Sequence, residues 1–493
     1  MLLRRKSWLL LGTALLYGAF GAACASGVGD KETANSPVEK EDAGEPDGQE
    51  PEEDAGDPEE PEDAGEPEPR DAAMDAGPKD AGSDAGPKDA AMDAAPDSSL
   101  ADTGAAQPDA GTVDAGRDAG PPPPAPLPTG KREGEWTYVE PEGALCRDGS
   151  KAGYFYRTGG DPSVMIFLNG SGACSDSFFC GITPKKVDES FTAESFIAAS
   201  GNVLGGPDPT RQTPPNEGIL KRDSRNPVAN WNMIFVPYCT GDVHAGSKPN
   251  ATVPGISGQQ QFVGYTNLGL ILKSIGPSFS EAQKVLLAGT GAGGFGALLN
   301  MERTQDFFAA QGAKVSVITD SGIPFQDQFL AACLQKKWRD IWNLDAVMPM
   351  NCTGCKNANG GGLALGLGTY LFKERFKDRM MGGMVSSAQD DIIRLFFSAG
   401  VNNCSTDPGL EAAAMLFGAT GSFTPNVFRS GLSDAVNNVA GASRVGYYVI
   451  PGAAHMHLWR PRFYSDNGLG SGATMASWVA DIIAAMPTKR GTL

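Results

Sequence analysis

The sequence predicts an α/β fold in residues 131–493, a mostly parallel sheet covered by helices on both faces and preceded by a long disordered acidic tail. Short apolar runs alternate with longer amphipathic ones, as in a chain that passes repeatedly from a buried strand to a covering helix. A sharp change of composition near residue 130 separates this region from a low-complexity segment. About 360 residues is an ordinary length for a single α/β domain with insertions.

The predicted strands are short apolar runs bounded by turn residues. They cover residues 153–157, 164–168, 233–238, 285–288, 315–319, 384–386 and 446–450. The predicted helices show apolar residues at a spacing close to 3.6 and cover 262–275, 292–302, 325–338, 391–397, 424–439 and 475–486. Ligands of such sheets bind at the carboxyl ends of strands, so residues that follow strands are the functional candidates.

Residues 1–25 have the pattern of a secretory signal, with a basic start followed by an apolar run too short to span a membrane. Small residues precede Cys24, which indicates that residues 1–23 are a bacterial lipoprotein signal and that Cys24 is lipidated. Ordinary cleavage is the alternative. We therefore expect an exported protein, either an outer-membrane lipoprotein of the bacterial cell envelope or a secreted one. A membrane would be contacted only through this N-terminal lipid.

Residues 26–130 are predicted to form a disordered linker built from repeated Asp-Ala-Gly and Glu-Pro units. Residues 27–120 contain 29 Asp and Glu against 6 Lys and Arg, so this segment accounts for the net charge of −19. With few aromatic or branched apolar side chains, it cannot bury enough surface to offset the entropy of ordering. The remaining chain is nearly neutral and lacks basic clusters, which argues against a nucleic-acid partner.

The segment 289–294, Gly-Thr-Gly-Ala-Gly-Gly, lies between a predicted strand and a predicted helix. Its frame is that of the Gly-x-Ser-x-Gly nucleophile elbow, with Gly291 at the serine position. An elbow residue is held at a strained backbone conformation that glycine adopts without a Cβ clash. Gly291 would relax that strain and would also remove the nucleophile. The candidate substitutes are an activated water and three nearby hydroxyls, those of Thr290, Ser171 and Ser321.

Three other segments with candidate chemistry follow predicted strands. The glycine-rich turn 170–172 could present backbone N–H groups to an oxyanion or could simply be a tight loop. Asp390 and Asp391 stand at a helix start, where carboxylates also act as caps. His455 follows the last long strand, and the order Gly291, Asp390, His455 is the nucleophile–acid–histidine order of α/β-hydrolases.

Several of these segments resemble the pectinacetylesterase/Notum family of secreted α/β-hydrolases. The most specific is the run Pro237-Tyr-Cys-Thr-Gly-Asp242 within residues 230–244, and the resemblance extends over 136–485. Other matching segments are 167–174, 289–294, 317–322, 386–394 and 452–458. The resemblance implies an α/β-hydrolase-like fold. It also implies removal of acetyl groups from plant pectin or, in the animal branch, of a fatty-acyl ester from a signalling protein.

Carried over to this chain, the family's nucleophile falls on Gly291, its acid on Asp390 and its histidine on His455. The oxyanion donors would be Ser171, Gly172 and Ala292, whereas Asp242, Asp320 and His244 lie outside the triad and are expected to be structural. Two hypotheses follow. One is an ester hydrolase that needs a substitute nucleophile, and the other is a pseudoenzyme that binds an ester-bearing glycan or an acylated ligand. Neither requires a cofactor.

Eight cysteines besides Cys24 form an even set, which in an exported chain favours disulfides. Cys174 and Cys180 are close enough to close a small loop beside the candidate oxyanion turn. Cys352 and Cys355 could instead form a zinc or redox motif, but the sequence supplies neither a second ligand pair nor a nearby histidine, so no metal is predicted. The pairing is left open, because eight cysteines allow 105 arrangements.

Overall fold

The structure is a computed structural model that describes part of the chain. The described residues are 126–127, 134–187, 214–310, 312–377, 382–401, 404, 423–440, 444–465, 468–470, 472–485 and 489–490. The predicted signal, Cys24 and nearly all of the predicted linker lie outside them and remain predictions. Within the described ranges, no helix has both the length and the apolar character needed to cross a bilayer.

Nine of the eleven described strands form one sheet, in which β1, β2 and β4 pair antiparallel and every other neighbouring pair is parallel. The order across the sheet is β1-β2-β4-β3-β7-β8-β9-β10-β11, while β5 and β6 form a separate hairpin. The strand bounds are β1 Thr137–Val139, β2 Tyr154–Arg157, β3 Asp161–Leu168, β4 Trp231–Val236, β5 Lys248–Ala251, β6 Gln260–Phe262, β7 Lys284–Thr290, β8 Lys314–Asp320, β9 Gly382–Ser387, β10 Val445–Ile450 and β11 Lys489–Arg490.

Helices connect and cover these strands, which makes the fold α/β-hydrolase-like, as the sequence predicts. The α-helices are α1 Ser177–Ile182, α2 Gly264–Ile275, α3 Ala292–Leu299, α4 Met301–Ala309, α5 Ala332–Trp342, α6 Leu363–Thr369, α7 Asp391–Ser398, α8 Pro425–Ala435 and α9 Met475–Ile483. Short π-helical segments extend α6 and α8, at Tyr370–Arg375 and Val436–Ala440.

The central strands are buried on both faces, so their side chains alternate between two cores. In β7, Leu287 packs into the core under α2, α3 and α4, and Leu286 packs into the opposite core, which includes Trp478 of α9. Burying one large apolar side chain contributes about 1.5–3 kcal/mol. This double coverage explains why the strands appear as continuous apolar runs rather than alternating ones.

Two helix predictions are wrong in detail. The predicted helix over 325–338 begins only at Ala332, because Asp327 accepts hydrogen bonds from the Gly362 amide and from Asn357. These contacts hold the preceding residues in turns. The predicted helix over 292–302 is interrupted at Asn300, whose side chain donates to the carbonyls of His244 and Gly296. In both places a polar side chain has a tertiary or local partner that competes with helix continuation.

All eight cysteines of the folded region form disulfides, as predicted. The pairs are Cys146–Cys239, Cys174–Cys180, Cys333–Cys404 and Cys352–Cys355. Cys352 and Cys355 are thus bonded to each other, and no group of His, Cys, Asp or Glu side chains able to hold a metal occurs among the described residues. Four disulfides fit an exported protein.

Removal of the longest-range disulfide should cost far more than removal of the shortest. The Cys146–Cys239 bond spans 93 residues and the Cys352–Cys355 bond only 3. Loop-closure entropy gives about 4–5 kcal/mol for the first and about 2 kcal/mol for the second. Denaturant unfolding of the two double-alanine variants of the full chain checks this order. Equal losses would show that native packing, not loop closure, sets the effect.

Candidate active site

Gly291 occupies a sharp turn between β7 and α3. Its backbone has φ 54° and ψ −119°, a conformation that disfavours residues with a Cβ. Its N–H donates to the carbonyl of Asp320 over 2.8 Å, and its own carbonyl accepts from the Gly294 amide at the start of α3. The turn therefore has the strand–turn–helix geometry in which a hydrolase presents its nucleophile.

The imidazole of His455 lies directly over Gly291. A Cβ added to Gly291 would stand 2.9 Å from His455 Nε2 and 3.3 Å from Met456 Sδ. A side chain at this position would therefore contact His455 Nε2, the atom through which a histidine activates a nucleophile. The ring would also have to retreat slightly to admit that side chain.

His455 is held by a buried carboxylate. Its Nδ1 lies 3.0 Å from both carboxylate oxygens of Asp390, and the Asp390 side chain is fully buried. Asp390 is also the N-cap of α7, because its Oδ1 accepts from the Ile393 amide. With Nδ1 bonded to a carboxylate, the hydrogen-bond network assigns the proton to Nδ1 and leaves Nε2 as an acceptor toward Gly291.

The alternative acid, Asp391, does not contact His455 through any hydrogen bond of the described residues. Its carboxylate pairs instead with Arg394, at 2.7 Å, on the next turn of α7. His457 lies deeper, with Nε2 3.1 Å from the hydroxyl of Ser387, and burial lowers its pKa. The structure thus brings Asp390, His455 and Gly291 together and leaves Asp391 and His457 with other partners.

The glycine-rich turn after β3 packs against the elbow. A Cβ added to Gly170 would lie 2.0 Å from the Thr290 carbonyl oxygen and 2.9 Å from the Ala292 nitrogen, so only glycine permits this contact. Within the part of the chain that the structure describes, the amides of Ser171, Gly172 and Ala292 have no protein acceptor. They are available to stabilise negative charge on a ligand, as oxyanion donors do.

A second loop, which contains Asp242 and His244, contacts the backbone next to the oxyanion turn. His244 Nε2 bonds the carbonyl of Asn169, the residue before the turn, and burial lowers the pKa of His244 to about 4. In the same loop Asp242 accepts from the Thr240 hydroxyl and the Gly264 amide, and burial raises its pKa to about 6. Both side chains hold backbone in place, which is the structural role expected for them.

An apolar cavity opens beside these groups. It lies between the oxyanion turn, His455 and side chains of α3, α5, α6 and α7. Its walls include Phe295, Trp338, Leu363 and Phe396. The sequence analysis missed these residues, because apolar positions on amphipathic helices have the same spacing whether they fill a core or line a cavity.

The three candidate substitute hydroxyls have different positions. Ser171 lines the cavity. Thr290 is fully buried outside it, and its hydroxyl has no hydrogen-bond partner within the described chain. Ser321 is also buried, and its hydroxyl donates to Asp320 and accepts from the Met456 amide. Of the three, only Ser171 is among the residues that form the cavity wall.

A nucleophile-type elbow, a carboxylate-bound histidine and free amides meet at the carboxyl edge of a mostly parallel sheet, which places the chain in the α/β-hydrolase class. The pectinacetylesterase family model matches residues 131–365. This match and the relatives below support the assignment of the chain to the pectinacetylesterase/Notum family. The model match ends before Asp390 and His455, so their inclusion in the site rests on the geometry above.

The similar proteins include palmitoleoyl-protein carboxylesterases and a pectin acetylesterase. The chain is 29% identical over 226 residues to palmitoleoyl-protein carboxylesterase notum2 of Xenopus laevis, covering 42% of each chain. It is 29% identical over 185 residues to palmitoleoyl-protein carboxylesterase NOTUM of Mus musculus, covering 36% of this chain and 33% of that one. It is 28% identical over 186 residues to pectin acetylesterase 4 of Arabidopsis thaliana, covering 36% and 41%. The chain thus spans about two fifths of these relatives' length or less.

The buried loop should make stability depend on pH in a defined direction. The pKa of His244 falls from 6.5 to about 4 on folding, so its contribution is complete above pH 6.5 and is lost as the pH falls toward 4. This loss is about 3 kcal/mol. The pKa of Asp242 rises from 3.8 to about 6, so its contribution is complete below pH 3.8 and is lost as the pH rises through 6.

As the pH is lowered from 6.5 to 4, we therefore expect the stability of His244→Gln to rise relative to that of the wild type. Over the same range the stability of Asp242→Asn should fall relative to that of the wild type. Urea unfolding of the full chain at a series of pH values measures both slopes. Parallel curves for wild type and His244→Gln would contradict the assignment.

Proposed function

We propose that this protein is an exported member of its family that binds an acyl-bearing ligand in a carboxylic-ester hydrolase site without efficient turnover. The observation that carries the proposal is the position of Gly291. A side chain there would contact His455 Nε2, but glycine has no hydroxyl that could act as a nucleophile. The other half of the site, consisting of the Asp390–His455 pair and the free amides, is retained. The predicted signal and the four disulfides support export, with lipidation of Cys24.

The cavity favours an acyl chain over a glycan as the group that enters it. Its walls are almost entirely apolar, and the polar groups at its border are Ser171, the nearby amides and His455. A sugar would leave its hydroxyls without partners against such walls, at a cost of about 1–3 kcal/mol each. An acyl chain would gain about 0.8 kcal/mol for each buried methylene. An ester carbonyl placed at the oxyanion turn would direct its chain into this space.

A second candidate is slow hydrolysis by an activated water. The Asp390–His455 pair is intact, and Nε2 is free to accept a proton. In this route His455 removes a proton from water, the water oxygen attacks the ester carbonyl, and the alkoxide leaving group takes a proton back from His455. Hydrolases that lose their triad retain roughly 10³–10⁴-fold acceleration over water through the oxyanion hole and binding. Loss of wild-type activity in His455→Ala would favour this route.

Gly291→Ser tests the vacant nucleophile position. We expect the wild-type full chain to hydrolyse p-nitrophenyl butyrate near background and Gly291→Ser to gain about 10²-fold or more, because serine would stand beside His455 and the free amides. The gain should be smaller than that of a native triad, since the ring must retreat to admit the new Cβ. A serine-directed fluorophosphonate should label Gly291→Ser at residue 291 and leave the wild type unlabelled.

The control is the Gly291→Ser/His455→Ala double variant, which should lose both the activity and the label. A wild-type chain that is labelled at Ser171, Thr290 or Ser321 would refute the vacant-site proposal, because it would identify another nucleophile.

Acyl-chain length should set ligand affinity. For a series of non-hydrolysable N-methyl amides of fatty acids with increasing acyl length, each added methylene should tighten binding about three- to fourfold until the cavity is filled. Ala364→Phe fills the cavity from α6 and should abolish this trend. Ala480→Phe, the same substitution at a partly exposed position of α9 outside the cavity wall, should leave it unchanged. Titration calorimetry measures the series, and affinity independent of chain length would contradict the acyl assignment.

A further inference from the structure

The geometry points to Asp320 as a positioning residue that sets the separation between the elbow and the histidine; this inference rests on the proposed function of the same site. Asp320 is the last residue of β8 and is fully buried. It pairs in register with Thr290, the last residue of β7. It therefore lies beside the elbow and does not line the cavity.

Asp320 makes contacts in two directions. Its main-chain carbonyl oxygen accepts a hydrogen bond from the Gly291 amide, with 2.8 Å between the two atoms, and this bond fixes the elbow. Through its carboxylate Oδ2 it accepts the amides of His457 and Leu458, which fixes the loop that carries His455. One residue thus holds both partners of the Gly291–His455 contact. Neither half of this arrangement depends on a ligand.

The neighbouring groups reinforce the same loop. The Ser321 hydroxyl donates to Asp320 Oδ1 and accepts from the Met456 amide. Met456 has φ 60°, an unfavourable value for a residue with a Cβ, so the loop needs external hydrogen bonds to keep this shape. Arg460 donates to the carbonyls of His455 and Met456. The carboxylate of Asp320, at the end of β8, accepts two successive amides of this loop.

Loss of the carboxylate should therefore move His455 while leaving the apolar helical walls of the cavity in place. In the Gly291→Ser background, we expect Asp320→Ala to lower kcat about 100-fold with KM for p-nitrophenyl butyrate changed less than threefold, because displacement of a catalytic group by about 1 Å costs this much. Asp320→Asn keeps an oxygen able to accept both amides and should restore kcat to within about fivefold. A merely destabilised protein would not show this split between kcat and KM.

The matched control is Asn232→Ala. Asn232 is also a buried side chain with three hydrogen bonds to backbone, but these lie at the amino ends of β3 and β4, away from the site. It should lose stability while keeping kcat and KM. If Asp320→Ala fails to fold, Ser321→Ala removes the adjoining contact and should lower kcat by about tenfold.

A second measurement separates this inference from the proposed function. The chain has three histidines, so the imidazole resonances of His244, His455 and His457 can be assigned in the Gly291 protein itself. Asp320→Ala should shift the His455 Nε2 and Cε1 resonances, Asp320→Asn should return them, and those of His244 should not move. Should Gly291→Ser gain no activity, the proposed function fails and these resonances still decide the role of Asp320. An unchanged His455 spectrum in Asp320→Ala would overturn it.

Discussion

The site depends on close contact between main chains at the carboxyl ends of β3, β7 and β8. Gly170 lies against the Thr290 carbonyl, and a Cβ added to Gly293 would lie 2.0 Å from the Leu168 carbonyl oxygen. Side chains at these positions would push the strands' ends apart, so the glycines allow the elbow, the oxyanion turn and the histidine loop to share one edge. The interior of a folded protein yields little to such overlaps. The positions of the elbow and of the oxyanion turn are consequences of this packing.

This packing explains how the elbow keeps its shape with a glycine at residue 291. The conformation of Gly291 is imposed by hydrogen bonds to Asp320 and Gly294 that involve only backbone atoms. A glycine satisfies them with less strain than a serine would, by about 1–3 kcal/mol. The Asp390–His455 pair is equally independent of residue 291, because Asp390 is held as the N-cap of α7. A glycine at residue 291 therefore differs from a serine there more in the chemistry it allows than in the geometry of the site.

The polar and apolar parts of the site impose different demands. The carboxylate of Asp390 is fully buried, and a buried charge requires hydrogen-bond partners, which His455 and the Ile393 amide provide. The cavity beside it supplies no such partners along its apolar walls. A ligand with one polar end and a long apolar part matches this division. Under the proposed function, the apolar walls would shield a bound ester from water, which would strengthen the electrostatic effect of the free amides.

Much of the site was predictable because its residues follow strands. Gly291, Asp390 and His455 each stand just past a strand, and parallel strands bring their carboxyl ends to one edge, so chain order and strand ends sufficed to associate them. The choice between Asp390 and Asp391 was not predictable, since both stand at the helix start. The tertiary structure decides it, because Asp390 caps α7 and bonds His455, whereas Asp391 pairs with Arg394.

The sequence by itself determined the sheet-and-helix class of the folded region and the presence of a glycine elbow. It also determined an even set of cysteines, because local spacing and residue type encode such features. Only the tertiary structure decided the disulfide pairs, the early end of the helix predicted from residue 325, and the cavity between α3, α5, α6 and α7. These arise from contacts between residues far apart in the chain, such as Asp327 with Gly362 or Asp320 with Leu458. No local pattern records such contacts, because the free energy that selects them comes from packing and desolvation in the assembled fold.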